Sequence, residues 1–387
     1  MAITGEDCLG FDVFTYASGN VVLFGGCQSS QYGFAIKFDA TGVQTDINFY
    51  QDTHEGIVVL KDEADPTEFA LAATNSDKDT VYFFILKASD LTISEFHILI
   101  QDASNDPSAK YIEFGSLFID RVPGEDNVYY VGFTSRWNYV MIMEIDRSAT
   151  SSSNLPQKLF ISTVSNNYDG LYQMFVDVDG GDYDLYPSSV LGGVFMFGEY
   201  AYNDGKVLDC FITVSNAMPA DLIFDVDSLD WKICLNMKTL SSSITHKFQG
   251  SSAILMKGNQ SSVSWKKNVA TSGDNVFCSV VFEDDSANLH FLLLSDTSGT
   301  YQYQPTLITV SSSGASVTQK VWPFSLTDEA NFIPYKAMYT SGYFYIAATA
   351  LQLSGNTYAN KRAVVITETL SADSLISATV YTVTTST

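Results

Sequence analysis

The sequence predicts an all-β fold, and three observations support that prediction. Short apolar runs are bounded by turn residues, as in "ASGNVVLFGG" at residues 17–26, which is the pattern of a strand between turns. Residues that favour strands are abundant, including 22 Tyr and 26 Phe. Long runs with the period of an amphipathic helix are hard to find.

The same turn-plus-strand phrase recurs along the chain. It returns as "GEDNVYYVGFT" at 124–134, "SGDNVFCSVVF" at 272–282 and "SGYFYIAATA" at 341–350, with weaker copies at 66–74 and 191–200. A second apolar strand follows each copy, starting at Phe34, Phe83, Met141, Cys210, Phe291 and Val364. These starts lie 66 residues apart on average, so six units account for all 387 residues as a single domain.

One further strand candidate precedes each phrase and another follows each pair, which gives four strands per unit. Repeated four-stranded antiparallel units without helices are the pattern of a β-propeller. We therefore predict a six-bladed β-propeller of four-stranded antiparallel blades, in which the last blade supplies its own outer strand. The predicted blades span about residues 8–51, 55–103, 111–163, 170–238, 246–312 and 333–387 of a domain covering 1–387.

The first unit carries a family resemblance. In "NVVLFGG" the second strand ends in a glycine pair, and in "FAIKFDATG" the third strand leads into an Asp-x-x-Gly turn, Asp39 to Gly42. These features resemble the kelch class of propeller repeats, in a divergent form. The resemblance implies a propeller that binds protein or glycan, as most members of such families do, with enzymes in the minority.

Charge and motifs argue against several function classes. Lys and Arg number 20 against 44 Asp and Glu, and the net charge of −24 repels nucleic-acid phosphates and anionic lipid headgroups. No run reaches the roughly 18 apolar residues of a membrane helix. P-loop, GxGxxG and GxSxG motifs are lacking, and the histidines do not have metal-binding spacing: His54, His97, His246 and His290. We expect neither nucleic-acid binding nor membrane insertion.

The acidic segment "FVDVDGGDYDLY" is a candidate calcium loop. Asp177, Asp179, Asp182 and Asp184 surround two glycines that let the chain turn sharply. Oxygen ligands at alternating positions suit calcium, the one cofactor that the sequence suggests. The segment resembles a shortened form of the calcium loops in integrin-type FG-GAP propeller repeats. The alternative is a solvated acidic hairpin.

Two further sets of residues are candidates for binding sugars or protein. Asp225, Asp227 and Asp230 lie in "FDVDSLDWK", and paired carboxylates would suit a carbohydrate-active enzyme, the alternative function. Carboxylates on an edge strand also prevent edge-to-edge aggregation, and this structural interpretation is favoured. Trp137 and Tyr139, in the polar loop "SRWNYV", are the candidate ligand-binding aromatics.

The cysteines predict two disulfides. Cys8 and Cys27 lie at strand ends that an antiparallel hairpin brings together, and Cys210 and Cys234 flank two later strands in the same way. We predict the pairs Cys8–Cys27 and Cys210–Cys234, which leaves Cys278 as a free buried thiol.

The compartment follows from the disulfides and from one glycosylation motif. Asn259, in "NQSS", is the single N-glycosylation acceptor in the sequence. Both features favour a secreted, processed chain, with a cytoplasmic kelch-type scaffold as the alternative.

The lack of a catalytic motif favours an extracellular interaction or structural protein without catalytic activity. Its loops or blade edges are expected to bind protein or glycan. Residues 375–387 are β-branched and uncharged, so an outer edge made from them is suited to pairing with another chain. This predicts a homo-oligomer or filament.

Overall fold

The computed structural model shows an all-β chain, as predicted. It describes residues 7–61, 66–75, 80–101, 117–122, 124–135, 139–148, 157–163, 170–179, 182–191, 193–201, 207–237, 252–271, 275–296, 303–322, 331–340, 342–354, 357–369, 376–379 and 381–385. Every regular element in these ranges is a β-strand. Within them, no helix has the length and apolar character needed to cross a membrane.

The first four sheets have four strands each. Sheet 1 contains β1 (Cys8–Thr15), β2 (Val21–Cys27), β3 (Tyr32–Phe38) and β4 (Gln44–Gln51). Sheet 2 contains β5 (Gly56–Val59), β6 (Glu68–Thr74), β7 (Thr80–Lys87) and β8 (Ile93–Gln101). Sheet 3 contains β9 (Phe118–Arg121), β10 (Val128–Ser135), β11 (Tyr139–Asp146) and β12 (Gln157–Thr163). Sheet 4 contains β13 (Gly170–Asp179), β14 (Asp182–Leu191), β15 (Val194–Ala201) and β16 (Val207–Ser215).

Three more sheets follow, so the chain has seven blades and the prediction of six is wrong. Sheet 5 contains β17 (Ala217–Asp225), β18 (Asp230–Met237), β19 (Ser252–Asn259), β20 (Ser262–Ala270) and the late strand β29 (Thr382–Thr385). Sheet 6 contains β21 (Asn275–Glu283), β22 (Leu289–Asp296), β23 (Tyr303–Val310), β24 (Val317–Val321) and β28 (Ile376–Ser377). Sheet 7 contains β25 (Asn331–Thr340), β26 (Tyr343–Ser354) and β27 (Thr357–Thr369).

The missed blade is sheet 5. Its first two strands, β17 and β18, fall within the predicted fourth blade, 170–238, and its next two, β19 and β20, fall within the predicted fifth blade, 246–312. The turn from β17 to β18, residues 226–229, contains no glycine, so the repeating phrase is absent there. An averaged repeat length therefore distributed one whole sheet over two neighbouring units.

Glycines explain why the turn-plus-strand phrase recurs. Gly19, Gly124 and Gly342 have φ angles of 82°, 80° and 84° in the turns before β2, β10 and β26. Glycine adopts this left-handed conformation readily, whereas a side chain makes it strained. Glycine is required at position 26 for a different reason, because a Cβ atom there would lie 2.1 Å from the carbonyl oxygen of His54.

The chain divides into two compact units, residues 18–215 and residues 1–17 with 216–387. In the first unit, sheets 2 and 3 share a buried core that includes Phe83 and Val131. In the second unit, sheets 5 and 6 share a core around Leu255 and Phe291, and sheets 6 and 7 share another core that includes Phe344. Because sheets are covered on both faces, their strands are apolar at consecutive positions.

The C-terminal segment adds strands to sheets 5 and 6 rather than to sheet 7. β28 pairs with β24, and β29 pairs antiparallel with β20. The prediction that the last blade supplies its own outer strand is therefore wrong, and sheet 7 has three strands in the described part of the chain. We call residues 376–379 and 381–385 the C-terminal strap.

Candidate interaction surface

The outer strand of sheet 2, β8, exposes apolar side chains along an uncovered edge. Ile93, Phe96 and Ile98 keep 43%, 44% and 47% of their surface exposed. β8 is last in the strand order of its sheet, so no described strand covers its outer side. An apolar edge strand of nine residues is a template for pairing with another chain.

Aromatic packing fixes the position of β8. The ring of Phe96 lies 5.4 Å from that of Tyr82 and 6.3 Å from that of Phe84, measured between ring centroids. Phe84 in turn lies 5.5 Å from Tyr50 of sheet 1. Phe96 is therefore held on one side by the sheet while its other side faces solvent.

An ionic network ties the other face of β8 to sheets 2 and 3. Arg147, just after β11, places Nε 2.7 Å from Glu95 Oε2 and Nη2 3.1 Å from Glu68 Oε2. His97 Nε2 lies 2.6 Å from the second oxygen of Glu95. Burial favours a higher pKa for Glu95, but hydrogen bonds from His97 and Arg147 outweigh it and lower that pKa. Glu95 is therefore a stable anion that holds β8 in place.

The cleft beside this network is too small for a metabolite. It is lined by Glu68, Arg121 and Tyr129 together with apolar side chains of sheet 2. Its volume of about 30 Å³ is room for a water molecule. The exposed strand, rather than this cleft, is the candidate for binding a partner.

The four carboxylates of the predicted calcium loop lie on the hairpin of β13 and β14. Asp177 pairs across the hairpin with Asp184, and Asp179 pairs with Asp182, while the two glycines between them fall outside the described residues. Among described side chains there is no group of three or more His, Cys, Asp or Glu arranged to hold a metal ion. Burial raises the pKa of nearby Glu199, and the charge of Asp184 raises it further. Calcium binding here stays a prediction.

The second acidic run closes a turn. Asp225 Oδ1 accepts a hydrogen bond from the backbone N–H of Asp227 at 3.1 Å, and its Oδ2 accepts one from the hydroxyl of Ser228 at 2.8 Å. The Ser228 hydrogen bond lowers the pKa of Asp225. Asp230 lies opposite Asp225 as the first residue of β18. Asp39 has the same role in the Asp-x-x-Gly turn, where Oδ1 accepts from Thr41 and Val43.

The structure has two disulfides, but one pairing differs from the prediction. Cys8 and Cys27 are both disulfide-bonded, as predicted. Cys234 bonds to Cys278 with an S–S distance of 2.03 Å, and the free cysteine is the exposed Cys210. The predicted Cys210–Cys234 pair is wrong because sheet 5 is a separate blade: Cys210 lies on sheet 4, whereas Cys234 faces sheet 6.

The remaining candidate residues are Asn259, Trp137 and Tyr139. Asn259 begins the turn between β19 and β20, and its side-chain oxygen accepts hydrogen bonds from the backbone of Ser261 and Ser262, both at 3.0 Å. Trp137 falls outside the described residues, and Tyr139 is the first residue of β11. Glycosylation of Asn259 and ligand binding by the two aromatics stay predictions.

A charged cluster that the sequence analysis did not predict connects the first strands of sheets 5, 6 and 7 in the second unit. Lys336 Nζ, on β25, lies 2.8 Å from Asp221 Oδ1, on β17, and Asp221 Oδ2 accepts a hydrogen bond from the N–H of Val281 at 3.1 Å. Burial lowers the pKa of Lys336, but the charges of Asp221 and Asp12 outweigh it and raise that pKa. In the first unit, Asp120 accepts from Val176 N–H at 3.1 Å in the same way. The sequence signal for both contacts is a single Asp within the apolar part of the first strand of a sheet.

A second missed array lies on sheet 6. His290 is buried, with Nε2 3.0 Å from Asp284 Oδ2 and Nδ1 2.9 Å from Thr309 Oγ1. Burial lowers the pKa of His290, although Asp284 opposes the shift. Asp284 also accepts backbone hydrogen bonds from Ser286 and Asn288, so the array closes the β21–β22 hairpin.

No protein-family model and no curated protein matches the sequence. Solved structures match the fold. The Dos1 propeller matches with a TM-score of 0.51 and 8% identity over 92% of this chain and 88% of that one. The uncharacterized protein lmo1340 from Listeria monocytogenes EGD-e matches with a TM-score of 0.50 and 10% identity over 92% and 95%. Matches at this identity show the fold alone. The predicted β-propeller is confirmed, with seven blades, and a kelch family is not shown.

Proposed function

We propose that this chain is a non-catalytic propeller scaffold that binds an extended segment of another protein by strand addition to β8. The observation that carries the proposal is the exposed apolar edge of β8. Strand addition would pair the outer backbone groups of β8 and cover Ile93, Phe96 and Ile98.

The chain supplies its own precedent for this mode of binding. β29 adds to the outer side of β20 in an antiparallel register that runs from Lys267 opposite Thr385 to Ala270 opposite Thr382. The added strand has the sequence TVTT. An outer strand of this fold therefore accepts a short β-branched strand, here one that is tethered to the same chain and anchored by the buried Tyr381.

Charge narrows the class of partner. With a net charge of −24, the chain repels acidic segments at long range and attracts basic ones. β8 exposes Ile93, Phe96 and Ile98 beside the polar Ser94 and His97, so the segment needs β-branched or aromatic residues opposite the three apolar side chains. We infer an extended, β-branched protein segment with flanking Lys or Arg.

The test uses a synthetic peptide of alternating Thr and Val with a central Tyr and a Lys at each end. Fluorescence anisotropy measures its binding to the full chain, and hydrogen exchange shows where it binds. Ile98→Lys is expected to weaken binding at least tenfold. The control is Thr213→Lys, which changes an exposed residue on β16, the outer strand of sheet 4. Equal loss in both variants, or no protection of residues 93–101, overturns the proposal.

Glycan binding is the competing outcome. A panel of soluble oligosaccharides is tested on the same three proteins. Binding to a sugar that survives Ile98→Lys, with no peptide binding, would favour a glycan-binding protein instead. Turnover of such a sugar would favour the carbohydrate-active enzyme.

The two disulfides favour a location outside the cytoplasm, since disulfides form and persist in oxidising compartments. We infer an extracellular protein. Mass spectrometry of the protein from its native source tests this inference through Asn259, which lies in a surface turn. A glycan on Asn259 supports it, whereas five free thiols and an unmodified Asn259 contradict it.

A further inference from the structure

We infer that a buried water-binding site lies between sheets 5 and 6, where the hydroxyl groups of Tyr381, Ser295 and Thr306 share one water molecule. The bound water would complete the anchor of the C-terminal strap. The inference does not depend on β8 or on the partner proposed for it.

The three hydroxyl groups are deeply buried. Ser295 and Thr306 are 0% exposed, and Tyr381 is 1% exposed. None of the three hydroxyl oxygens has a hydrogen-bond partner within the described part of the chain. Burying a hydroxyl group without a hydrogen bond is costly, so a cluster of three such groups points to a further polar partner.

The register of sheet 6 brings the three groups to one place. Thr306, on β23, lies opposite Leu293 of β22, and Ser295 is two residues further along β22. Alternate residues of a strand point to the same face, so Ser295 and Thr306 share the face of Leu293. Leu293 belongs to the core of sheets 5 and 6 that also contains Tyr381. Tyr381 and the two hydroxyl groups therefore lie on the same side of sheet 6.

The hydroxyl groups are neighbours that do not bond to each other directly. Burial raises the pKa of Tyr381, and the hydroxyl groups of Ser295 and Thr306 oppose that shift, which places them beside the Tyr381 oxygen. Their positions do not meet the distance and angle of a direct hydrogen bond. A single water molecule can join hydroxyl oxygens up to about 5.5 Å apart, because each of its own hydrogen bonds is about 2.7–2.8 Å long.

The strap holds Tyr381 in a fixed position. The side chain of Gln319, on β24, brackets the backbone of Tyr381: its Oε1 accepts from the N–H at 2.9 Å and its Nε2 donates to the carbonyl at 2.8 Å. The next residue, Thr382, pairs with Ala270 of β20. Because the backbone is held on both sides, the ring presents its hydroxyl group to one place in the core.

The surroundings favour water over an ion. Phe291, Leu293 and Ile308 of the same core are apolar and 0% exposed. The pKa of Tyr381 is shifted by burial and by the two hydroxyl groups, and by no charged side chain among the described residues. An ion in this place would be a buried charge without a partner of opposite sign, which is strongly unfavourable. Water is neutral, donates and accepts hydrogen bonds, and is commonly held by about three buried polar groups.

The first test is a crystal structure of the full chain at a resolution that shows ordered water. We expect one water oxygen about 2.5–3.0 Å from Tyr381 Oη, Ser295 Oγ and Thr306 Oγ1. Thr306→Val keeps the shape of the side chain and removes its hydroxyl group, so it should lower the occupancy of this water. Direct hydrogen bonds among the three hydroxyl groups, or a water bound to fewer than three of them in the unmodified chain, overturn the inference.

Thermal unfolding provides an independent measurement. Thr306→Val and Tyr381→Phe each remove one hydroxyl group and little volume, and each should lower the Tm by about 1–3 °C. The double variant should lose less than the sum of the two, because the second substitution removes a hydroxyl group whose water the first has already weakened. Thr384→Val, at an exposed strap position, is the control and should leave the Tm unchanged. Additive losses would show that the two hydroxyl groups share no water.

Discussion

Two kinds of outer edge in this molecule differ in what covers them. β20 carries Lys266 and Lys267 and is covered by the strap, and Lys267 Nζ donates a hydrogen bond to Thr385 Oγ1 of the strap at 2.8 Å. β8 exposes Ile93, Phe96 and Ile98, and no described strand covers it. Protection from aggregation alone would cover the apolar edge first. We therefore interpret the open edge as a surface kept for binding and the covered edge as one closed by the chain itself.

Removing the anchor of the covered edge is expected to have the largest effect. Tyr381→Ala deletes a fully buried aromatic ring from the core of sheets 5 and 6, so it should lower the free energy of unfolding by about 3–5 kcal/mol. Urea unfolding measures this loss, and hydrogen exchange should rise at residues 267–270. Thr384→Ala, at an exposed strap position, is the control and should change stability by less than about 0.5 kcal/mol. Similar stability of the two variants would show that the strap does not depend on Tyr381.

Loosening the support of the open edge is expected to have a smaller effect. Arg147→Gln removes the ion pairs to Glu95 and Glu68, which are partly exposed, so the expected loss is about 1–2 kcal/mol. The change should appear as faster hydrogen exchange in residues 93–98, with β20 unaffected. The matched control is Lys87→Gln, which changes an exposed residue at the end of β7, the neighbour of β8 in sheet 2. An equal effect of the two variants would contradict a specific role for Arg147.

Acid should separate the two edges further. The pKa of Glu95 is lowered from its ordinary value of 4.5, so its stabilising contribution is complete above that pH and is lost as the pH falls through the lowered value. Hydrogen exchange in β8, corrected for the intrinsic rate, should therefore rise below about pH 4.5 more than exchange in β20 does. Glu95→Gln should flatten this difference. If the difference in exchange between β8 and β20 persists in Glu95→Gln, a titratable group other than Glu95 causes it.

The smallest effect on stability is expected from Ile98→Lys. Because 47% of Ile98 is already exposed, the change in the free energy of unfolding should stay within about 0.5 kcal/mol. The variant therefore separates folding from the binding test described above. A loss of more than about 2 kcal/mol by urea unfolding would show that β8 is buried in solution.

Local patterns predicted strands well and predicted their partners poorly. The glycines before β2, β10 and β26 take the φ values that their turns require, so those hairpins could be predicted from short stretches of sequence. The blade count failed at sheet 5, where the turn after Asp225 is closed by a carboxylate instead of a glycine. The predicted disulfide partner of Cys234 was wrong for the same reason, because the pairing of cysteines depends on which blades are neighbours.

The candidate surface was harder to predict than the fold. "SEFHILIQ" lies within the predicted second blade, 55–103, and its apolar residues resemble those of strands that are covered on both faces. Exposure of Phe96 and Ile98 depends on what lies beside the strand, and sequence alone does not give that information. The strap raises the same difficulty: residues 375–387 were read as an outer strand for the last blade, whereas their partners are β20 and β24.

The Cys234–Cys278 disulfide also determines what a protease can release from this chain. It joins residues 44 positions apart on β18 and β21, and Asn236 bonds the backbone of Cys278 beside it through hydrogen bonds of 2.7 and 3.0 Å. A single cut anywhere between the two cysteines therefore yields two polypeptides that remain covalently joined until a reductant is added. A cut just before the strap, by contrast, yields a peptide with no covalent link to the rest. Proteolysis in an oxidising compartment would thus leave blades 5 and 6 covalently linked, whereas only noncovalent contacts, including those of the buried Tyr381, would hold the strap.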